Sequence, residues 1–130
     1  MEYIPIKPEL NNISGAIVDT AYQVHTTLGP GLLESVYQKC MVIELREKGF
    51  AVDTEVQIPI QYKHHEIDAH LRIDMLVNNE VIIELKSVDQ LLPVHKAQLL
   101  TYLKLTNKRL GLLINFNVEV IKSGIKRVVL

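Results

Sequence analysis

Asp74, Glu84 and Lys86 are the residues whose types and spacing could do chemistry. They interrupt an otherwise apolar stretch, Ile73-Asp74-Met75-Leu76-Val77-Asn78-Asn79-Glu80-Val81-Ile82-Ile83-Glu84-Leu85-Lys86. Side chains on a strand alternate between faces, so Val81, Ile83 and Leu85 point one way and Ile82, Glu84 and Lys86 the other, which sets Glu84 beside Lys86. In the preceding run Ala69, Leu71, Ile73, Met75 and Val77 are expected to form one apolar face. Asp68, His70, Arg72 and Asp74 form the opposite one, too polar for ordinary core. Two carboxylates on facing strands can grip one hard cation through oxygen; without a cation they repel.

The turn between the runs decides whether Asp74 and Glu84 meet. A two-residue Asn78-Asn79 loop would set Val77 against Glu80 and Asp74 against Ile83, leaving the carboxylates on opposite faces. A three-residue loop of Asn78, Asn79 and Glu80, or a two-residue loop with one bulge, places Asp74 across from Glu84. Paired residues have Cβ atoms about 4.5–5.5 Å apart, close enough for both to hold one ion. The expectation is therefore a three-residue loop or a bulge between Val77 and Val81.

Other polar residues have plainer readings. Glu34 and Tyr37 share a helix face, and on the residues alone Glu34 is a first-turn carboxylate that complements the helix dipole. His25 reads as a surface or helix-terminal histidine. His64 and His65 are neighbours that point to opposite faces, with no cysteine near, so they read as a solvated hairpin tip rather than a zinc pair. His95, Gln98 and Tyr102 form one helical stripe. Beside a charged strand face, Gln98 and Tyr102 could orient a lysine, a water or a phosphate through hydrogen bonds. The single cysteine, Cys40, excludes an internal disulfide and the usual four-cysteine centres, and reads as a small buried hydrophobe.

Several elements must position these residues. Residues 1–11, with two prolines, read as an extended arm. From Asn12 a helix of about four turns carries Ile13, Ala16, Ile17, Ala21, Val24 and Leu28 until Gly29-Pro30-Gly31 stops it. A second helix runs from Leu33 to a Gly49 cap. Val56, Ile58, Ile60 and Tyr62 alternate as a strand that Pro59 marks as an edge. A third helix starts at Pro93 and runs to about Leu105. Leu110 to Phe116 is a buried strand and Ile125 to Val129 a short last one. The pattern is an α/β fold: two N-terminal helices, an antiparallel meander of the Val56, Asp74 and Glu84 strands, and a helical crossover that makes the Glu84 and Leu112 strands parallel.

Length and composition are those of a single domain spanning residues 1–130, since 130 residues at 48% hydrophobic suffice for one core. No apolar run approaches the ~18 residues of a membrane span. The N-terminus lacks a signal-peptide layout, so a cytoplasmic location is expected by default. A net charge of −1 imposes no nucleic-acid partner through the overall field, and any basic surface must be local.

Gly31-Leu32-Leu33-Glu34-Ser35-Val36-Tyr37 resembles the signature of the GxxExxY protein family. Asp74 with Glu84-Leu85-Lys86 resembles the D…ExK core of the PD-(D/E)xK nuclease superfamily to which that family is assigned. Pro93 to Leu103 and Gly111 to Asn117 resemble the family's later blocks, and Gln98 with Tyr102 the QxxxY motif of RecB-like nucleases. The proline of the superfamily name is absent, because Ile73 precedes Asp74.

The resemblance implies a restriction-endonuclease-like core, a mixed central sheet flanked by helices. It implies Mg²⁺ or Mn²⁺ held by Asp74, Glu84 and the Leu85 carbonyl, with Glu34 reaching the same ion from its helix. Lys86 would hold the attacking water, and Gln98 and Tyr102 would line the far wall. The implied activity is hydrolysis of nucleic-acid phosphodiesters, with DNA favoured over RNA and a homodimer among the open oligomeric states. Two other classes stay open: a binding module with an idle metal site, and a structural ion pair at Asp74, Glu84 and Lys86.

Overall fold

The computed structural model describes residues 4–130, so the first residues of the expected arm lie outside it. The elements are α1 (Pro8–Leu28), α2 (Glu34–Glu47), β1 (Val52–Tyr62), β2 (His65–Val77), β3 (Val81–Lys86), α3 (Pro93–Thr106), β4 (Leu110–Asn115), a 3₁₀ turn (Ile121–Gly124) and β5 (Ile125–Val129). Among the described residues no helix is long and apolar enough to cross a membrane.

The arm is shorter than expected, because α1 begins at Pro8 rather than Asn12. Pro8 occupies the first helical position, where its missing N–H goes unused and its fixed φ suits the helix. Glu9 complements the dipole there, and the Lys7 carbonyl accepts the N–H groups of Leu10 and Asn11. The extra turn adds Leu10 to the apolar stripe that continues through Ile13, Ile17, Ala21 and Val24.

The five strands form one sheet in the order β1-β2-β3-β4-β5. The first three are an antiparallel meander and β3 and β4 are parallel across the α3 crossover, as the spacing predicts; β5 pairs β4 antiparallel. Pro59 lies on the edge strand β1, next to a register shift between Pro59 and Ile60. At the far end of this hairpin Lys63 and His64 both adopt positive φ, 49° and 67°, the geometry of a two-residue turn. His64 and His65 are solvent-exposed there.

Two apolar layers sandwich the sheet. Residues of α1 and α2, including Ile17, Tyr37, Met41 and Leu45, pack on Met75, Val77, Val81, Ile83, Leu85, Leu112 and Ile114. On the opposite face Leu99 and Leu103 of α3 pack on Leu71, Ile73, Leu76, Ile82 and Leu113. The central strands β3 and β4 are thus covered on both sides, which accounts for their near-continuous apolar sequence. Gly111 lets α3 approach β4 closely: a Cβ there would lie 2.9 Å from Leu99 Cδ1.

One expectation about β2 fails. Ala69, Leu71, Ile73, Met75 and Val77 do not share a face, since Leu71, Ile73 and Leu76 join the α3 layer whereas Met75 and Val77 join the α1–α2 layer. The alternation slips by one step at Asp74. Its partner strand is irregular at the same level: the ladder passes from Thr54↔Met75 to Val56↔Ile73, and Glu55 between them has φ 52°.

Candidate active site

The loop between β2 and β3 holds three residues. Val77 pairs with Val81, Leu76 with Ile82 and Met75 with Ile83, leaving Asn78, Asn79 and Glu80 outside the ladder. Asn78 and Asn79 take left-handed φ values of 51° and 56°, which asparagine tolerates better than most residues. Asn78 is also pinned at both ends: its N–H donates to the Ala51 carbonyl at 2.8 Å and its Oδ1 accepts the Ala51 N–H at 2.9 Å. The next pair along this register is Asp74 with Glu84, so the odd-numbered loop brings the two carboxylates together.

Backbone pairing stops at that point and the side chains take over. The Asp74 N–H donates to Glu84 Oε2 at 2.8 Å, and the Leu85 N–H donates to Asp74 Oδ2 at 2.9 Å. Each carboxylate therefore accepts an N–H that the ladder leaves free. No fully buried side-chain oxygen lacks a partner among the described residues, so the second oxygens, Asp74 Oδ1 and Glu84 Oε1, open toward solvent.

Glu84 is only 5% exposed. Burial first, and then the charge of Asp74, push its pKa from 4.5 to about 8, against the opposing Asp74 N–H and the Lys86 ammonium. Asp74 is also raised, again chiefly by burial, with the Leu85 N–H and Lys86 pulling it down and Glu55 and Glu34 pushing it up. Repulsion between carboxylates was the expected cause; desolvation is the larger one. The pair holds a proton at neutral pH. Lys86 acts on both through its field rather than by contact, since the one ion pair among the described residues is Arg72–Glu55.

Glu34 is the first residue of α2 and lies at the rim of the same cleft, a space of about 160 Å³ lined by Glu34, Ser35, Gln38, Glu55, Arg72, Asp74 and Leu85. Tyr37 explains how it gets there. Its ring is fully buried and stacks on Phe116 at 4.3 Å, while its hydroxyl donates to the Gly29 carbonyl at 2.7 Å and accepts the Leu32 N–H at 3.1 Å. The tyrosine thus clamps the turn ahead of α2, in which Gly31 adopts φ 95°. Ser87 Oγ donates to the Leu32 carbonyl at 2.6 Å, tying that turn to the chain leaving Lys86.

The remaining candidates divide. The Tyr102 hydroxyl, on α3, has its pKa raised by burial first and then by the charges of Glu84 and Asp74. Gln98, one turn earlier, is exposed and outside the cleft. His25 is in the last turn of α1 but is buried, not a surface residue, with Nε2 2.7 Å from the Val118 carbonyl. His95 belongs to the start of α3, where Nδ1 accepts the Leu92 N–H at 3.0 Å. Cys40 is free and half-buried at the margin of the α1–α2 layer.

Three residues to which the sequence reading gave no role in the site contribute to it. Gln38 Nε2 donates to the Asp74 carbonyl at 2.9 Å, fixing α2 to the slipped segment of β2; its signal was the spacing of four from Glu34. Arg72 Nε lies 2.9 Å from Glu55 Oε2 at the cleft mouth. Buried Asn115, paired with Lys86 in the parallel ladder, uses Oδ1 and Nδ2 to hold the N–H and carbonyl of Val88. Neither of the last two has a local sequence signature.

Among the described residues no three His, Cys, Asp or Glu side chains cluster tightly enough to cage a metal ion by themselves. What the cleft offers is the Asp74 carboxylate, with Glu34 and Glu55 on its lining and Glu84 hydrogen-bonded to the Asp74 N–H beside it.

No curated protein and no solved structure matches the chain. The sequence profile described as the PD-(D/E)XK nuclease superfamily matches residues 11–128, from within α1 to within β5. A mixed sheet carrying Asp74 and Glu84-Leu85-Lys86 on adjacent strands, with helices on both faces, is the restriction-endonuclease-like arrangement, and this chain belongs to the PD-(D/E)XK nuclease superfamily.

Proposed function

We propose that the chain is a single nuclease domain, of the GxxExxY kind within the superfamily, that hydrolyses phosphodiester bonds of nucleic acid with Mg²⁺ or Mn²⁺. The observation that carries this reading is the exchange of backbone N–H groups between Asp74 and Glu84. It fixes one oxygen of each carboxylate and leaves the other without a hydrogen bond from the protein. The donor set fits a small hard cation better than zinc, because Mg²⁺ commonly takes one or two carboxylates and fills its shell with water and substrate phosphate. Such an ion would polarise a phosphoryl oxygen and make water more acidic.

The protein's own part is positional. Asp74 and Glu84 supply ligand oxygens with the Leu85 carbonyl, and must shed their proton to do so. Lys86 orients the attacking water and offsets charge on the phosphate. Glu34 reaches toward the ion from the start of α2, and Tyr102 donates a hydrogen bond from the α3 side, with Gln98 joining when substrate lies along that helix. DNA is the favoured substrate.

The test is cleavage of a mixed panel of single- and double-stranded DNA and RNA with Mg²⁺ or Mn²⁺, comparing wild type with Lys86→Ala. Metal-dependent cutting that chelator and Lys86→Ala abolish is the expected result. Binding without cutting, equal in both proteins and indifferent to chelator, would assign the chain to the idle binding modules instead.

A further inference from the structure

Four carboxylates, Glu34, Glu55, Asp74 and Glu84, surround the candidate site, and a polyanionic substrate cannot approach them without a counter-charge. Among the described residues that line the cleft, Arg72 is the sole cation. We propose that Arg72 receives a backbone phosphate of the nucleic acid at the cleft mouth, held ready by Glu55. The proposal rests on the nuclease reading above and adds a positioning residue to it.

The geometry separates this pair from an ordinary surface ion pair. Nε of Arg72 lies 2.9 Å from Glu55 Oε2, and the arginine side chain is 64% exposed. At that exposure the guanidinium still has donors to offer to solvent, and an arginine takes a phosphate in a two-pronged grip. The hold on Nε limits the rotamers the arginine must give up on binding. Glu55 reaches this position only through a left-handed backbone, φ 52°, a conformation that is unfavourable for glutamate and that breaks the β1–β2 ladder level with Asp74. An exposed ion pair contributes too little to maintain such a break for its own sake. Arg72 and Asp74, two residues apart on β2, line the same cleft.

The experiment measures affinity for labelled single-stranded and duplex DNA over a salt series, with Ca²⁺ replacing Mg²⁺ to suppress cutting, for wild type, Arg72→Ala and Arg72→Lys. Arg72→Ala should weaken binding about tenfold or more, the loss of a charge-assisted contact. Its log–log salt slope should be shallower by about 0.9 for duplex or about 0.7 for single strands, one phosphate contact fewer. Arg72→Lys should restore the slope but only part of the affinity, because a lysine keeps the charge and loses the fork. In Mg²⁺, Arg72→Ala should raise KM more than it lowers kcat, and its melting temperature should match wild type. Wild-type affinity and slope in Arg72→Ala would overturn the proposal alone, as would a lysine variant that restores neither. A wild type that neither binds nor cuts nucleic acid would overturn the nuclease reading and this proposal together.

Discussion

Replacing Glu84 by Gln should make the protein more stable while abolishing its chemistry. The native chain keeps a proton on Glu84 up to about pH 8, whereas an unfolded glutamate releases it near 4.5. The native state therefore binds more protons across that window. The contribution is fully present below about pH 4.5 and is lost as pH rises toward 8. Each pH unit inside the window costs roughly 1.4 kcal/mol, so by pH 7 the loss is on the order of 3 kcal/mol. Glutamine carries no charge in either state, and its side-chain oxygen can still accept the Asp74 N–H that Glu84 Oε2 accepts now. Glu84→Gln should regain most of that loss at pH 7, about 10 °C in Tm for a chain of this size. Its stability should also fall less steeply with pH, the residual slope coming from Asp74. Urea denaturation of both proteins at pH 5, 6, 7 and 8 would measure this. Equal stability at pH 7 together with equal pH slopes would refute the reasoning.

Metal binding should displace the same proton: calorimetric titration with Mg²⁺ or Mn²⁺ in buffers of different ionisation enthalpy should show about one proton released near pH 7, with affinity falling as pH drops. Asp74→Asn, which keeps an acceptor for the Leu85 N–H, should fold and give no metal heat; a wild-type titration curve in that variant would contradict the assignment. Deleting Glu80 leaves a two-residue loop that shifts every β3 side chain to the opposite face, so circular dichroism should show a strongly lowered Tm, and an unchanged melt would sink the register argument. Tyr37→Phe removes two hydrogen bonds on the Gly29–Leu32 turn and should cost about 1–3 kcal/mol in urea unfolding. An unaltered unfolding curve would show that the turn needs no clamp.

The local patterns were legible where a single period or spacing decided the matter. The interval from Asp74 to Glu84 called for a three-residue loop or a bulge, Pro93 marked the start of α3, and the apolar run from Leu110 identified β4 as a buried strand. Pro8 was misread because a proline near a terminus suits an arm and a helix start equally, and only the packing of Leu10 distinguishes them. The slip in β2 was invisible because Ile73, Met75, Leu76 and Val77 are apolar in either phase. The contacts of Gln38 with Asp74 and of Asn115 with Val88 join segments 36 and 27 residues apart, and polar side chains carry no periodic signal of such partners. Glu55 was hidden differently: its left-handed backbone, level with Asp74, breaks the alternation that sequence reading relies on.

The exchange of N–H groups at Asp74 and Glu84 makes the site a seam in the sheet as well as a place for chemistry. A chain of this fold without hydrolytic activity could not freely replace these two residues, because alanine at either position would strand a backbone donor where two strands part. Asparagine, glutamine or serine would keep the seam closed while discarding the charge. Loss of function in this fold should thus leave a chemical residue of its own, acceptors persisting at positions 74 and 84 after the lysine at 86 has drifted. The lysine, which no backbone group depends on, is the better marker of a working enzyme.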